Sequence, residues 1–151
     1  MIRRVTLLAG FVLLLAPAAV AQPNLTATAS AGPSETITWD VSGAAANARI
    51  LVLGSFRNDG MSLGPFQSRC GAVRLDLAIG PGHRFVGVGR TQPDGTFTRS
   101  VTLPGKLPPR LNGATIYSQA VTVEFTDPPR TQDCTLTVTT SNVTTTTVHV
   151  P

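Results

Sequence analysis

Residues 91–125 read "TQPDGTFTRSVTLPGKLPPRLNGATIYSQAVTVEF", and this stretch decides the fold. Pro93, Asp94 and Gly95 predict a turn, because proline pre-sets the backbone of a turn and glycine accepts a positive φ. A strand follows and ends at Pro104, since proline cannot donate to a sheet ladder. Residues 105–113 then predict a crossing from one sheet towards the other, and residues 114–125 a returning strand. A buried Gln119 in that strand would need hydrogen-bond partners.

Strand periodicity extends upstream of this stretch. In "SETITWDVSG" (34–43), Ile37, Trp39 and Val41 alternate with polar residues, which predicts a half-buried strand. Core packing is the simpler interpretation of Trp39, and a sugar-stacking platform is the alternative. "NARILVLGSF" (47–56) is apolar over a longer run, which predicts a central strand covered on both faces. "AVRLDLAI" (72–79) alternates again.

The end of the chain, "CTLTVTTSNVTTTTVHV" (134–150), changes phase. Leu136 and Val138 occupy even positions, Val143 an odd one. A bulge or kink near Ser141 is expected, because an extra residue moves the following side chains to the opposite face. We expect two consecutive strand segments, the last at a sheet edge.

Short strands separated by turn signals, with scarce helical periodicity, predict an all-β protein. The expected architecture is an immunoglobulin-like or fibronectin-like β-sandwich of about 7–9 strands.

The first residues predict a secretory signal peptide. "MIRRVTLLAGFVLLLAPAAVAQ" combines Arg3 and Arg4 with an apolar run and small residues that end at Ala21. The run is shorter than the roughly 20 apolar residues that cross a bilayer. The expected organisation is therefore a signal peptide over residues 1–21 and a single β-sandwich domain over residues 22–151, secreted, periplasmic or at the cell surface.

Cys70 and Cys134 are the only two cysteines. In an oxidising compartment they predict one disulfide, with two buried thiols or an intermolecular link as alternatives.

Residues 91–150 carry a succession of short motifs. A D-G turn and strand precede "LPGKLPPRLNG", then "YSQA" opens a strand and "TTSNV" lies in the closing one. This succession resembles uncharacterised small secreted β-sandwich domains of planctomycete-type and related environmental bacteria. The resemblance implies the fold and export, and it implies no activity.

The charge pattern argues against nucleic acid as a partner. The chain has a net charge of +4, and without Arg3 and Arg4 ten basic residues face eight acidic ones. The arginines outside the leader are scattered singly, whereas a nucleic-acid footprint concentrates them. They are Arg49, Arg57, Arg69, Arg74, Arg84, Arg90, Arg99, Arg110 and Arg130.

The sequence contains no recognisable catalytic constellation. A Ser/His hydrolase commonly shows a Gly-x-Ser-x-Gly turn, and a glycosidase needs two flanking carboxylates; neither pattern is evident here. We therefore expect no enzyme, no cofactor and no metal site. Calcium at Asp59 or Asp94 is a minor alternative, since each precedes a glycine in a common turn dipeptide.

These observations favour an exported, non-catalytic interaction module of the cell envelope or extracellular space, with an unknown protein or polysaccharide partner and no membrane span after cleavage. Two loops, "RNDGMSLGPFQSR" (57–69) and "GPGHRF" (80–85), carry the expected binding residues Arg57, Asn58, Phe66, His83 and Arg84. One alternative is a structural subunit that assembles through its threonine-rich terminal edge strands. A carbohydrate-binding module is a lesser alternative.

Overall fold

The computed structural model describes residues 22–30, 35–68, 70–126 and 134–149. The predicted leader lies outside the described residues. Within them, the chain forms nine strands and a short 3₁₀ helix, Pro109–Leu111. The strands are β1 (Asn24–Ser30), β2 (Thr36–Ser42), β3 (Arg49–Ser55), β4 (Met61–Ser68), β5 (Gly71–Leu77), β6 (Arg84–Arg90), β7 (Phe97–Thr102), β8 (Thr115–Thr126) and β9 (Thr135–Thr147).

The strands form three antiparallel sheets, which confirms the all-β prediction. Their orders are β1-β2-β7, β6-β3-β8-β9 and β4-β5. The two larger sheets pack face to face around one apolar core. Residues 103–114 cross between them, from β7 in the first sheet to β8 in the second, as the proline-rich sequence predicts.

Trp39 lies at the centre of this core and is 2% exposed. Its indole Nε1 donates a hydrogen bond to Oγ of Ser118 at 2.9 Å. The bond satisfies the indole's only polar group and ties β2 of one sheet to β8 of the other. The core interpretation of Trp39 is confirmed, and its ring is not available to stack on a sugar.

Strand β3 is covered on both faces, as its long apolar run predicts. Ile50 and Val52 face the core between the two large sheets. Leu51 and Leu53 point the other way, into a second apolar cluster that includes Val121 of β8. Since side chains alternate along a strand, successive residues of the run pack into different cores.

The phase change near Ser141 is a β-bulge. Gln119 pairs with Val143 and Val121 with Thr140, so Ser141 and Asn142 together lie opposite Ala120. Oγ of Ser141 accepts a hydrogen bond from the Ala120 amide at 2.8 Å. This bond bridges the irregularity, and the two consecutive segments expected here form the single bulged strand β9. Its predicted edge position is confirmed.

Gln119 is buried, and both polar atoms of its side chain are hydrogen bonded. Its Oε1 accepts from the Ala78 amide at 2.9 Å, and its Nε2 donates to the Ser141 carbonyl at 3.0 Å. The predicted need for partners is confirmed.

Asn142 joins the two large sheets from the bulge. Its Oδ1 accepts from the Leu25 amide at 2.8 Å, and its Nδ2 donates to the Leu25 carbonyl at 3.0 Å. The side-chain amide thus makes with β1 the two bonds that a backbone neighbour would make in a sheet.

The 93–95 turn is confirmed, and it packs against Ala44 in the segment between β2 and β3. Gly95 has a φ of +77°, and its carbonyl accepts from the Ala44 amide at 3.2 Å. A Cβ at position 95 would overlap the carbonyl oxygen of Ala44. Asp94 accepts from the hydroxyl and amide of Thr96, and these bonds hold the pKa of its carboxyl below the usual value. This carboxylate therefore has a turn-forming role that needs no calcium.

Strand β6 approaches β7 closely through two glycines. A Cβ on Gly89 would lie 2.6 Å from the Phe97 ring, and one on Gly87 3.0 Å from Cγ of Arg99. The side chains of β7 therefore lie directly on the β6 backbone.

Gly95→Ala is expected to destabilise the protein more than Gly113→Ala. Both glycines have a φ of +77°, but only position 113 has open space around the added Cβ. The left-handed backbone costs about 1–2 kcal/mol in each variant, and the overlap with Ala44 adds to it only at position 95. Urea unfolding measures both free energies. Equal losses would contradict the built-in role of this turn.

Asn142→Ala is expected to lower the free energy of unfolding by about 1–2 kcal/mol, because it removes two bonds between the sheets. Hydrogen exchange of the Leu25 amide should accelerate more than that of amides in the middle of β2. Asn24→Ala is the matched control, since Asn24 is exposed at the start of the same strand as Leu25. Unchanged exchange at Leu25 in the Asn142→Ala variant would refute the link.

Candidate binding groove

The β4–β5 hairpin covers part of the outer face of the four-stranded sheet. Met61, Leu63, Leu75 and Leu77 pack against the cluster that contains Leu53 of β3. Arg74 and Asp76 alternate with them and are exposed, and their side chains lie 3.7 Å apart. The burial of residues 72–79 alternates as predicted.

A disulfide fastens this hairpin. Cys70 directly precedes β5 and Cys134 directly precedes β9, and their Cα atoms are 5.1 Å apart. The two cysteines expected to pair are therefore joined, and the bond connects the hairpin to the edge strand of the sheet beneath it.

An apolar groove of about 310 Å³ runs between the hairpin and the sheet. Its hairpin wall is formed by Leu63, Phe66, Val73 and Leu75, and its sheet side includes Leu51, Leu53, Val123, Leu136 and Val138. Among the described residues that line it, Ser68 is the one that is polar. Such a lining binds by burial of apolar surface.

Three phenylalanines at the groove remain open to solvent. Phe66, Phe85 and Phe125 are 50%, 64% and 42% exposed. They come from β4, β6 and β8, so three separate segments converge on one patch. Exposed apolar groups that gather in this way mark interaction sites more often than singly scattered ones do.

A wider cavity of about 620 Å³ adjoins one end of the groove, and the two share Ser68, Val123 and Phe125. Arg49 and Arg90 line it and lie directly opposite each other in the β3–β6 pairing. The Arg49 guanidinium carbon is 5.9 Å from the centre of the Phe125 ring. Among the described residues, no carboxylate lies within ion-pair distance of either arginine.

The structure brings the two predicted binding loops together. The Gly80 amide donates to the Arg57 carbonyl at 2.7 Å. Arg57 forms an ion pair with Asp59, and Asn58 is exposed beside them. The Asp59 carboxylate thus already has a cationic partner.

Two assignments within those loops are corrected. Phe66 lies on strand β4 rather than in a loop, because residues 61–68 pair with β5 across an irregularity between Leu63 and Phe66. Arg84 is the first residue of β6, and its Nη1 donates to the His83 carbonyl at 3.3 Å. His83 is half-buried, with its ring edge-on to Phe85.

Of the five predicted binding residues, Phe66 lines the groove, and Arg57, Asn58, His83 and Arg84 lie outside its lining. Sequence reasoning missed Phe85 as a groove residue and Arg49 and Arg90 as residues of the adjoining cavity. Arg49 and Arg90 stand 41 positions apart and meet only through strand pairing. One local signal pointed to Arg49: it directly precedes the apolar residue Ile50, so strand alternation places the two side chains on opposite faces.

Comparison of the chain with protein-family models, curated proteins and solved structures found no match. The described part of the chain contains no helix long and apolar enough to cross a membrane. Across the same residues, no three His, Cys, Asp or Glu side chains are grouped so that they could hold a metal ion.

Replacing both cysteines, as Cys70→Ser with Cys134→Ser, is expected to lower the free energy of unfolding by about 4 kcal/mol, the chain-entropy value for a loop closed across a separation of 64 residues. Native-state hydrogen exchange should accelerate most in β4 and β5, since the bond fastens their hairpin. Thr28→Ser with Thr38→Ser, at one exposed and one half-buried position of the other sheet, controls for the substitutions. A uniform loss of protection across all strands would contradict a local fastening.

Proposed function

We propose that the chain is an exported, non-catalytic interaction module of the cell envelope or extracellular space, and that the groove with its three phenylalanines is its binding face. The observation that carries the proposal is the convergence of Phe66, Phe85 and Phe125, each at least 42% exposed, on an apolar groove. Burying a phenylalanine against a partner is favourable by about 1.5–3 kcal/mol. A partner that covers all three rings therefore gains more binding free energy than one that covers a single ring.

The strand order supports an immunoglobulin-like or fibronectin-like sandwich. The β1-β2-β7 sheet corresponds to strands A, B and E of such domains, and β6-β3-β8-β9 to C′, C, F and G. The β4–β5 hairpin is then an insertion between C and C′, and it supplies one groove wall. Since this architecture hosts many functions, the proposal depends on the groove rather than on the fold.

The disulfide supports placement outside the reducing cytosol, because such bonds persist in oxidising compartments. Together with the leader sequence, it favours a secreted, periplasmic or cell-surface location. The part of the groove lining that the structure describes offers little to acid–base catalysis, since it is apolar apart from Ser68. Binding by apolar burial is the chemistry that this surface performs best.

Assembly through the terminal strand is the second candidate, because β9 is an edge strand. The bulge at Ser141 and the two bonds from Asn142 to Leu25 divide that edge into two shorter stretches. A broken edge is a poorer template for continuous pairing with another chain. The groove is therefore the better supported surface.

Retention tests the proposal. The chain is expressed with its own leader, purified in its oxidised form, and mixed with isolated envelopes of the producing organism and with insoluble polysaccharides. Phe66→Ser with Phe85→Ser should weaken retention by about tenfold or more, because two anchors lose their apolar burial. Phe56→Ser is the matched control, since Phe56 is 57% exposed and does not line the groove.

Sedimentation of the same samples distinguishes the alternatives. A monomer retained through Phe66 and Phe85 supports the interaction module. Equal retention of the double variant and the Phe56→Ser control would refute the groove as the binding face. Concentration-dependent oligomers without retention would instead favour assembly through β9.

A further inference from the structure

The geometry points to one class of ligand for this groove, a single-chain amphiphile with a carboxylate head. We infer that its alkyl chain lies in the apolar groove and its carboxylate between Arg49 and Arg90. This inference rests on the proposed function and specifies what the binding face takes.

The shape of the groove fits an unbranched alkyl chain. Its volume of about 310 Å³ equals about ten water molecules at ~30 Å³ each, and a methylene group takes roughly the space of one water. The groove therefore has room for about ten carbons. Its walls offer such a chain apolar contacts on the hairpin side and on the sheet side.

The charge at the end of the groove complements an anionic head. Arg49 and Arg90 are direct cross-strand neighbours, and like charges in that position repel each other. Nη1 of Arg90 donates a hydrogen bond to the Asn47 carbonyl at 3.2 Å. Within the described structure, neither guanidinium has a carboxylate partner. A carboxylate held between them would relieve this repulsion and accept charge-assisted hydrogen bonds.

One acidic residue, Glu124, also lines the arginine cavity. Alternation along β8 places it on the opposite face from Val123 and Phe125, which border both cavities. Among the described residues that line this cavity, the charged ones are two arginines and one glutamate, with a net positive charge of one.

The two cavities share Ser68, Val123 and Phe125, and this common border argues against simpler occupants. Arg49 stands over Phe125, which borders both spaces, so a cation is fixed where the apolar groove ends. A purely apolar ligand would leave the arginines unneutralised. A second copy of the chain, docked by the same face, would bring four arginines together. Of these occupants, an amphiphile complements both the apolar groove and the two arginines.

Calorimetric titration with octanoate, decanoate and dodecanoate, each below its micelle concentration, tests the inference on the full oxidised chain. Affinity should rise about fourfold per methylene until about ten carbons fill the groove, and then level off. Decanoate should bind at least tenfold more tightly than decyltrimethylammonium at low ionic strength, and added salt should narrow that difference.

Arg49→Gln with Arg90→Gln separates the head from the chain. This variant should lose the preference for decanoate over decyltrimethylammonium and bind decanol as the unmodified chain does. Arg110→Gln is the matched control, an exposed arginine on the 3₁₀ helix away from both cavities, and it should keep the preference. Phe66→Ser should weaken all the decyl probes alike.

Three results would overturn the inference: no binding of decanoate at millimolar concentration, equal affinity for the carboxylate and the ammonium probe, or a preference that survives in the double glutamine variant. The proposed function fails differently, by retention on envelopes that does not depend on Phe66 and Phe85. Phenylalanine-dependent retention that survives lipid extraction but is lost after protease treatment would replace the amphiphile with a protein partner and leave the proposed function intact.

Discussion

The architecture depends on the requirement that strand β3 be covered on both faces. Its residues 50–53 are apolar in succession, so neither side can face water. The β1-β2-β7 sheet covers one side completely and encloses Trp39. Of the residues that the structure describes, a two-stranded hairpin covers the other side, and two strands are too narrow to hide a sheet of four. The groove is the part of that second face that the hairpin leaves open.

A few polar and covalent links hold these layers in register. Trp39 and Ser118 connect the large sheets through the core, and Asn142 connects them at the edge. Gln119 joins β8 to the segment after β5 and to the bulge in β9. Each link uses a buried or partly buried polar group that is satisfied by its partner, which adds specificity to non-directional apolar packing. The disulfide adds the hairpin to the same framework.

Local patterns predicted the parts of the fold that depend on local periodicity. Alternation identified Trp39 as a core residue, and a change of phase located the bulge at Ser141 to within one residue. The need of Gln119 for partners followed from its place among inward-facing residues. These features are visible in sequence because side-chain direction in a strand has a period of two.

The groove was largely beyond sequence reasoning. Gly64 and Pro65 interrupt β4 at its register shift, and these residues usually signal a loop, so Phe66 was assigned to one. The meeting of Arg49 with Arg90, or of Phe85 with Phe125, depends on strand pairings between distant segments. A single sequence carries no signal for such pairings.

The glycines of β6 make one face of that strand intolerant of substitution, and the opposite face can accept other side chains. The side chains of Phe97 and Arg99 fill the space that a Cβ at positions 89 and 87 would need, so variation there is excluded by contact. On the opposite side, Phe85 and Val88 are 64% and 66% exposed and carry little of the core. Mutation can therefore change the chemistry of this rim with small effect on folding, and the strand provides a place where ligand preference can evolve independently of stability.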